Sequence, residues 1–270
     1  MSERDYVLGT HDAEIDRLRL QHRVWRPRML DAWRRGGITQ GQTVVDVGCG
    51  PGYASLDLSE IVGPAGRVIA VERSARFLDA LRHAAEHNGL ANIATLEADI
   101  TEKPIGDGIA DAAWCRWVFS WMTRPELGVA NIARVLKPSG VAIFHEYLDY
   151  ASWGLAPRSE AFSEFVRAII ASVTRTGATI DSALVLPRLL EEAGFDIVSL
   201  TPIVDVVAPD NYVWQWPTAF ARGYREKLVA DGLITADRAR EALAALDRAE
   251  KEGGVRMITP IVLEIIARRR

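Results

Sequence analysis

The chain has 270 residues, 49% hydrophobic and 25% charged, with 32 basic against 36 acidic side chains for a net charge of −4. This is the balance of a globular protein with a full apolar core, and it excludes a disordered, collagen-like or disulfide-stapled chain. No global positive field favours nucleic acid, no apolar run approaches the ~20 residues of a membrane span, and two cysteines suit a reduced, cytoplasmic setting.

Residues 11–35 read as helix, because Ile15, Leu18, His22, Trp25 and Met29 recur at spacings of three and four. Pro27 has no N–H for the carbonyl of Arg23, which predicts a break there and a second short helix with Pro27 in its first turn. From residue 41 strand and helix alternate. Thr43 to Gly48 is a β-branched run followed by glycines and a helical Ala54 to Ile61. Gly66 to Glu72 is a second strand, and Ser74 caps a helix to about His87, closed by Asn88-Gly89. Strands at Ile93 to Ala98, Asp111 to Cys115 and Gly140 to Tyr147 follow, with a helix from Pro125 to Leu136 before the last. Near-continuously apolar strands, each followed by a helix, predict an α/β fold: a doubly wound, mostly parallel sheet with helices on both faces.

Beyond Tyr147 the pattern loosens. A helical stripe runs from Phe162 to Val173, Ser182 is placed to cap a helix ended by Gly194, and Phe195 to Val207 is extended. Helices over about 211–230 and 235–250 precede a closing strand, Met257 to Ala267, with Pro260 at a bulge or an edge.

The segment Val44-Val45-Asp46-Val47-Gly48-Cys49-Gly50-Pro51-Gly52-Tyr53 carries the strongest chemical signal. A strand that runs into closely spaced glycines can turn sharply and approach a ligand without Cβ clash, and the following helix aims free N–H groups at the same spot. Glu72 ends the neighbouring strand, where a carboxylate can accept two ribose hydroxyls. A dinucleotide fingerprint requires a third small residue where this chain has Tyr53, so the spacing disfavours NAD.

Taken together these segments resemble the class I S-adenosylmethionine-dependent methyltransferases over about residues 43–145. Val45 to Gly52 is similar to the first motif of that family and Val71-Glu72-Arg73-Ser74 to its second. Glu97-Ala98-Asp99-Ile100 resembles the third, Asp111 to Arg116 the fourth strand and its loop, and Val135 to Gly140 the turn before the fifth strand. The resemblance implies Glu72 on the ribose, Asp99 on the adenine amino group, and the Ile100 backbone on the ring. It also implies contacts from Asp46, Gly48, Cys49, Gly50, Gly52, Arg73, Cys115 and Arg116, with Asp46 more a brace for the glycine loop than a ligand. A seven-stranded sheet is implied, its last strand antiparallel between the fifth and sixth. The organisation that follows is a helical cap over 1–40, a cofactor-binding core over 41–147 and a lid insertion over 148–181. The core continues over 182–210, a second helical lid insertion covers 211–252, and a last strand with a basic tail covers 253–270.

Other residues are weighed by chemistry. Cys115 and Cys49 read as small buried side chains rather than nucleophiles, and His83 and His87 as a solvated helix face rather than a metal pair. His145 and Tyr147 end the fifth strand on one face, at the edge where open α/β sheets bind ligands, and are the candidate catalytic pair, with His145 as the base. Trp117, Trp121, Trp153, Trp214 and Trp216 lie in pocket-forming segments and suggest an apolar or planar acceptor. Arg17, Gln21 and Arg23 of the first helix, with Arg116, are candidates for the methionine carboxylate. The resulting expectation is methyl transfer from S-adenosylmethionine to an O, N or C nucleophile of a small metabolite, without a metal and without a nucleic-acid or membrane partner. Homo-oligomerisation stays open. So do a nucleic-acid or protein methyltransferase, an NAD(P)-dependent oxidoreductase and a non-catalytic cofactor-binding protein.

Overall fold

The computed structural model describes residues 9–270, so the first eight residues of the expected cap lie outside the described residues. Five β-branched or alanine-rich runs become β1 (Thr43–Val47), β2 (Arg67–Glu72), β3 (Ile93–Glu97), β4 (Ala110–Arg116) and β5 (Leu136–Asp149). They are joined by α2 (Tyr53–Val62), α3 (Ala75–His87) and α4 (Pro125–Val135), preceded by α1 (Asp12–Gly36). After β5 come β6 (Gly154–Ala156), α5 (Glu160–Thr174), α6 (Leu186–Glu192), β7 (Phe195–Ile203), β8 (Val206–Val207), α7 (Gln215–Ala230), α8 (Ala236–Glu252), β9 (Arg256–Ile258) and β10 (Ile261–Arg269).

Seven of the strands form one sheet in the order β3-β2-β1-β4-β5-β10-β7. All are parallel except β10, which runs antiparallel between β5 and β7. The strand order reverses between β1 and β4, and the crevice at that switch point is where a doubly wound sheet receives its ligand. Each face of the sheet has its own apolar layer. Val45, Ala113, Phe144 and Ile265 pack under α4 and α6, while Val44, Trp114, Ile143 and Ile266 pack under α1 and α2. The last strand is inserted antiparallel, as expected.

A separate apolar cluster lies over the carboxyl edge. The insertions share it: Trp153, Phe162, Phe165 and Ile169 meet Trp214, Tyr224, Leu246 and Met257. A three-stranded sheet, β6-β9-β8, ties both insertions together.

Three expectations need correction. Pro27 does not break α1, which runs unbroken from Asp12 to Gly36. Both Pro27 and Arg23 face solvent, so the unpaired carbonyl can be hydrated, while Trp25, Met29 and Trp33 anchor both halves against the protein. The extended runs Phe195–Val207 and Met257–Ala267 are each divided, β7 from β8 and β9 from β10. Proline has no amide to donate to the ladder at Pro260, and Thr259 instead bonds Asp205 through both its amide and its hydroxyl. Finally, Ser182 does not cap the helix before Gly194. It sits in a 3-10 turn and points its hydroxyl at Glu146, and α6 starts later with a proline in its first turn.

Candidate active site

The glycine loop after β1 is built as its sequence requires. Gly48 and Gly50 have φ of +63° and +54°, the left-handed region that side chains with a Cβ avoid. A Cβ on Gly48 would stand 2.3 Å from Val118 of the loop after β4, so the two loops touch. A Cβ on Gly50 would meet nothing within 4 Å, and this glycine lines a cavity of about 340 Å³.

Glu72, at the end of β2, spans that loop. Its Oε2 accepts from the Gly50 amide (3.1 Å), and its Oε1 accepts from the amides of Arg73 (2.7 Å) and Ser74 (3.0 Å). Asp99, just past β3, accepts from the Thr101 amide (2.8 Å) and hydroxyl (2.6 Å) and stands 3.5 Å from Arg73. Both carboxylates line the cavity with Arg73 and Ile100. Asp46 lies behind the loop instead, accepting from Ser55 Oγ at 2.6 Å, and burial pushes its carboxyl up to about 6.

The amino-terminal half of α1 forms another wall. Tyr53 donates its hydroxyl to the Ile15 carbonyl (3.2 Å), and Asp57 of α2 accepts from Arg26 (2.9 Å) and pairs with His22 Nε2 (3.1 Å). These bonds hold Arg17 and Gln21 on the cavity, and Arg17 is itself fixed by Glu14 and Gln21. Arg116, at the end of β4, also lines it, with its guanidinium 5.3 Å from the Trp117 ring and 3.9 Å from Met29 Sδ. Burial lowers Arg116 to about 10, against the opposing pull of Asp46, Tyr147 and Asp57.

The far half of the cavity is aromatic. Trp117 stacks between Tyr147 (5.4 Å, 13°) and Trp216 (5.3 Å, 8°) and meets Trp25 edge-on. Its φ is +53°, a strained conformation for a bulky residue. Trp117, Trp121, Met122, Tyr147, Tyr150 and Phe220 line this half.

The structure thus brings Gln21, Gly48, Gly50, Glu72, Arg73, Asp99, Ile100, Arg116, Trp117, Trp121 and Tyr147 to one cavity. Other expected residues stand apart from it. Arg23 is two positions beyond Gln21, about 200° round the helix, and exposed. Gly52 begins α2 against Leu81. Cys49 and Cys115 are buried, and burial pushes both thiols well above their usual range. Trp153 packs edge-on between Tyr150 and Phe162, and Trp214 donates to Glu250 (2.9 Å), so both serve the apolar cluster that α5, α7 and α8 share.

His145 requires the largest correction. It is fully buried on the α1 side of the sheet, between the rings of Trp114 and Trp25, with Nε2 3.0 Å from Glu264 of β10. Burial lowers its pKa, and Arg35 also pairs with Glu264. Its ring faces the layer beneath α1 because strand alternation places it there. It cannot serve as a base in the cavity.

Sequence reasoning passed over Tyr150 and Phe220, whose insertions have no fixed spacing from the glycine loop, and it placed Glu146 on the strand face opposite His145 and Tyr147 without giving it a role. The signal for Glu146 was a lone carboxylate following the apolar run Val141 to Phe144. Among the described residues there is no group of three metal-ligating side chains, and no helix is long and apolar enough to cross a membrane.

Residues 45–144 match the methyltransferase domain family. A 2-phytyl-1,4-naphtoquinone methyltransferase of Nostoc sp. is 29% identical over 192 residues, covering 68% of this chain and 80% of its own. An uncharacterized protein in transposon TN4556 of Streptomyces fradiae is 29% identical over 190 residues, and this chain spans about half (51%) of its length. The crystal structure of geranyl diphosphate C-methyltransferase from Streptomyces coelicolor A3(2) superposes with a TM-score of 0.58 at 18% identity, covering 92% of this chain and 82% of that one. Residues 45–144 thus match a methyltransferase domain, and the chain shares its fold with a solved methyltransferase structure.

Proposed function

We propose that the chain transfers the methyl group of S-adenosylmethionine to a small, planar, largely apolar acceptor of the aromatic hydroxy or quinol class. One observation carries the reading: a single cavity has two carboxylates at the carboxyl ends of β2 and β3 on one side and a wall of aromatic rings on the other. The residues fit the cofactor. Gly50 leaves space that a Cβ would fill, Glu72 suits the ribose hydroxyls, Asp99 suits the adenine amino group, and Arg116 with Gln21 suits the methionine carboxylate. The relative from Nostoc, named for a naphthoquinone, supports a planar acceptor.

The cofactor supplies a methyl group already activated by a positively charged sulfur. The chain is left to align the acceptor and exclude water, and positioning of this kind supplies roughly 7–11 kcal/mol of a reaction barrier. Trp117, held between Tyr147 and Trp216, gives a planar acceptor a flat face, and Tyr150 and Phe220 close the cavity from the lid. Tyr147 therefore acts through its ring in this wall.

Calorimetric titration with S-adenosylmethionine, S-adenosylhomocysteine and NADH tests the cofactor, and mass spectrometry of 1,4-naphthohydroquinones incubated with protein and S-adenosylmethionine tests the acceptor. Binding of the first two and addition of one methyl group are expected. Binding of NADH alone overturns the cofactor reading. Cofactor binding without transfer to any aromatic hydroxy compound favours a non-catalytic role.

A further inference from the structure

Glu146 is fully buried, and among the described residues no cation is paired with it. Its Oε1 accepts from the amides of Val118 (2.8 Å) and Phe119 (3.1 Å). Its Oε2 accepts from the Ser120 amide (3.4 Å) and the Ser182 hydroxyl (3.1 Å). Ser120 Oγ lies within reach of both Oε2 (3.1 Å) and the Ile180 carbonyl (2.7 Å). One carboxylate therefore gathers three successive amides of the loop after β4 and a hydroxyl from the segment that enters α6.

These three amides are the free donors at the start of a 3-10 turn, Phe119–Trp121, that the chain enters directly after Trp117. Trp117 itself has the left-handed conformation that a bulky residue avoids, so the carboxylate fixes the turn on the carboxyl side of a strained residue. The same turn sets the Trp117 ring between Tyr147 and Trp216. Ile180, held through Ser120, lines the cavity beside Trp121 and Tyr150.

We propose that Glu146 is the positioning residue of the acceptor half: it holds Trp117 in its strained turn and fastens the 180–182 segment of the lid to the same wall. It acts through Trp117 and Ile180 and does not itself line the cavity. The assignment of this half to the acceptor rests on the function proposed above; the link between the carboxylate and the Trp117 turn does not.

Burial pushes the Glu146 carboxyl up, and the donors gathered around it pull the other way. Every partner on the amide side is a donor, and a carboxylate is acceptor-only. Glutamine has nearly the same shape, and its NH₂ can be accepted by the Ser120 and Ser182 hydroxyls, but it then faces the Ser120 amide and leaves the Val118 and Phe119 amides only a neutral acceptor. The hub is weakened on both sides.

The test compares Glu146→Gln and the milder Ser182→Ala with the wild-type chain by three measurements. These are near-ultraviolet circular dichroism of the stacked rings, calorimetric affinity for S-adenosylhomocysteine, and affinity for 1,4-naphthohydroquinone. Glu146→Gln is expected to change the aromatic dichroism and to weaken the naphthohydroquinone about tenfold or more, while S-adenosylhomocysteine weakens by no more than about threefold. Ser182→Ala should shift both readouts in the same direction by less. Wild-type dichroism in both variants overturns the proposal, and so do equal losses for the two ligands. If Glu146→Gln does not fold, Ser182→Ala decides by the same criteria. If the wild-type chain binds S-adenosylhomocysteine but not the naphthohydroquinone, the acceptor class is wrong, and the dichroism still decides the role of Glu146.

Discussion

The two halves of the cavity are built by different means. The half beneath the glycine loop is local: Gly48, Gly50, Glu72 and Asp99 sit at the carboxyl ends of three adjacent parallel strands, and backbone amides do much of the holding. The aromatic half is assembled from a distance. Trp117 follows β4, Tyr147 lies near the end of β5, Tyr150 directly follows that strand, and Trp216 and Phe220 belong to α7. The first half can be kept while the second is remodelled, because changing the insertions leaves the strand ends where they are. A shared cofactor and a private acceptor are what this division of labour permits.

Substitutions can sharpen or break the contrast. The largest effect is expected at Trp117: Trp117→Ala removes a buried ring and should destabilise the chain by about 3 kcal/mol, read by denaturant unfolding. Cofactor affinity should change far less than the affinity for an aromatic acceptor, and parallel losses would mean that the two halves are not separable. Glu72→Ala should do the reverse. It removes charge-assisted bonds from the glycine loop and the ribose site, so S-adenosylhomocysteine should weaken by about 1.5–3 kcal/mol, roughly 10- to 150-fold, in a calorimetric titration. An unchanged dissociation constant would remove Glu72 from the site.

His145→Gln tests the sealed layer under α1. Loss of the imidazole paired with Glu264 should cost about 1 kcal/mol of stability and leave turnover within about threefold of the wild type. A large fall in turnover with stability unchanged would restore His145 as the base.

The smallest effect concerns pH. Asp46 is raised to about 6 in the folded chain, so the folded form binds a proton more readily than the unfolded one. Its contribution to stability is complete below the ordinary carboxylate pKa of about 4 and is lost as pH rises through about 6. Asp46→Asn removes this dependence, and its Tm relative to wild type should therefore rise between about pH 4 and pH 7. A constant difference would show that Asp46 has an ordinary pKa.

The buried histidines work in the opposite sense. His22 and His145 are both lowered, chiefly by burial, so the stability they confer is present above their usual value near 6.5 and falls away as pH drops below it.

The sheet was legible because its signals are short-range. Alternation of apolar strand and helix, the glycines after β1 and the carboxylate ending β2 lie within runs of a few residues, where backbone geometry and residue type are tightly coupled. Pro27 was misread because a propensity argument has no knowledge of the rings that pin α1 on either side of it. His145 was misread because β5 runs on to Asp149: His145 lies below the sheet edge, sealed by Trp25, Trp114 and Glu264, while Tyr147 two residues further along the same face reaches the cavity. Trp153 and Trp214 were assigned to the cavity by their place in the insertions, but the insertions need a core of their own, which takes their largest side chains first.

By itself, then, the amino-acid sequence determined the parallel sheet, the glycine turn and the two acidic side chains beside it, since each follows from local backbone sterics and strand order. Tertiary structure alone decided the aromatic wall, the burial of His145 and the convergence of three amides on Glu146. These depend on contacts between residues as far apart as Trp117 and Trp216, and no local periodicity encodes which distant rings will meet.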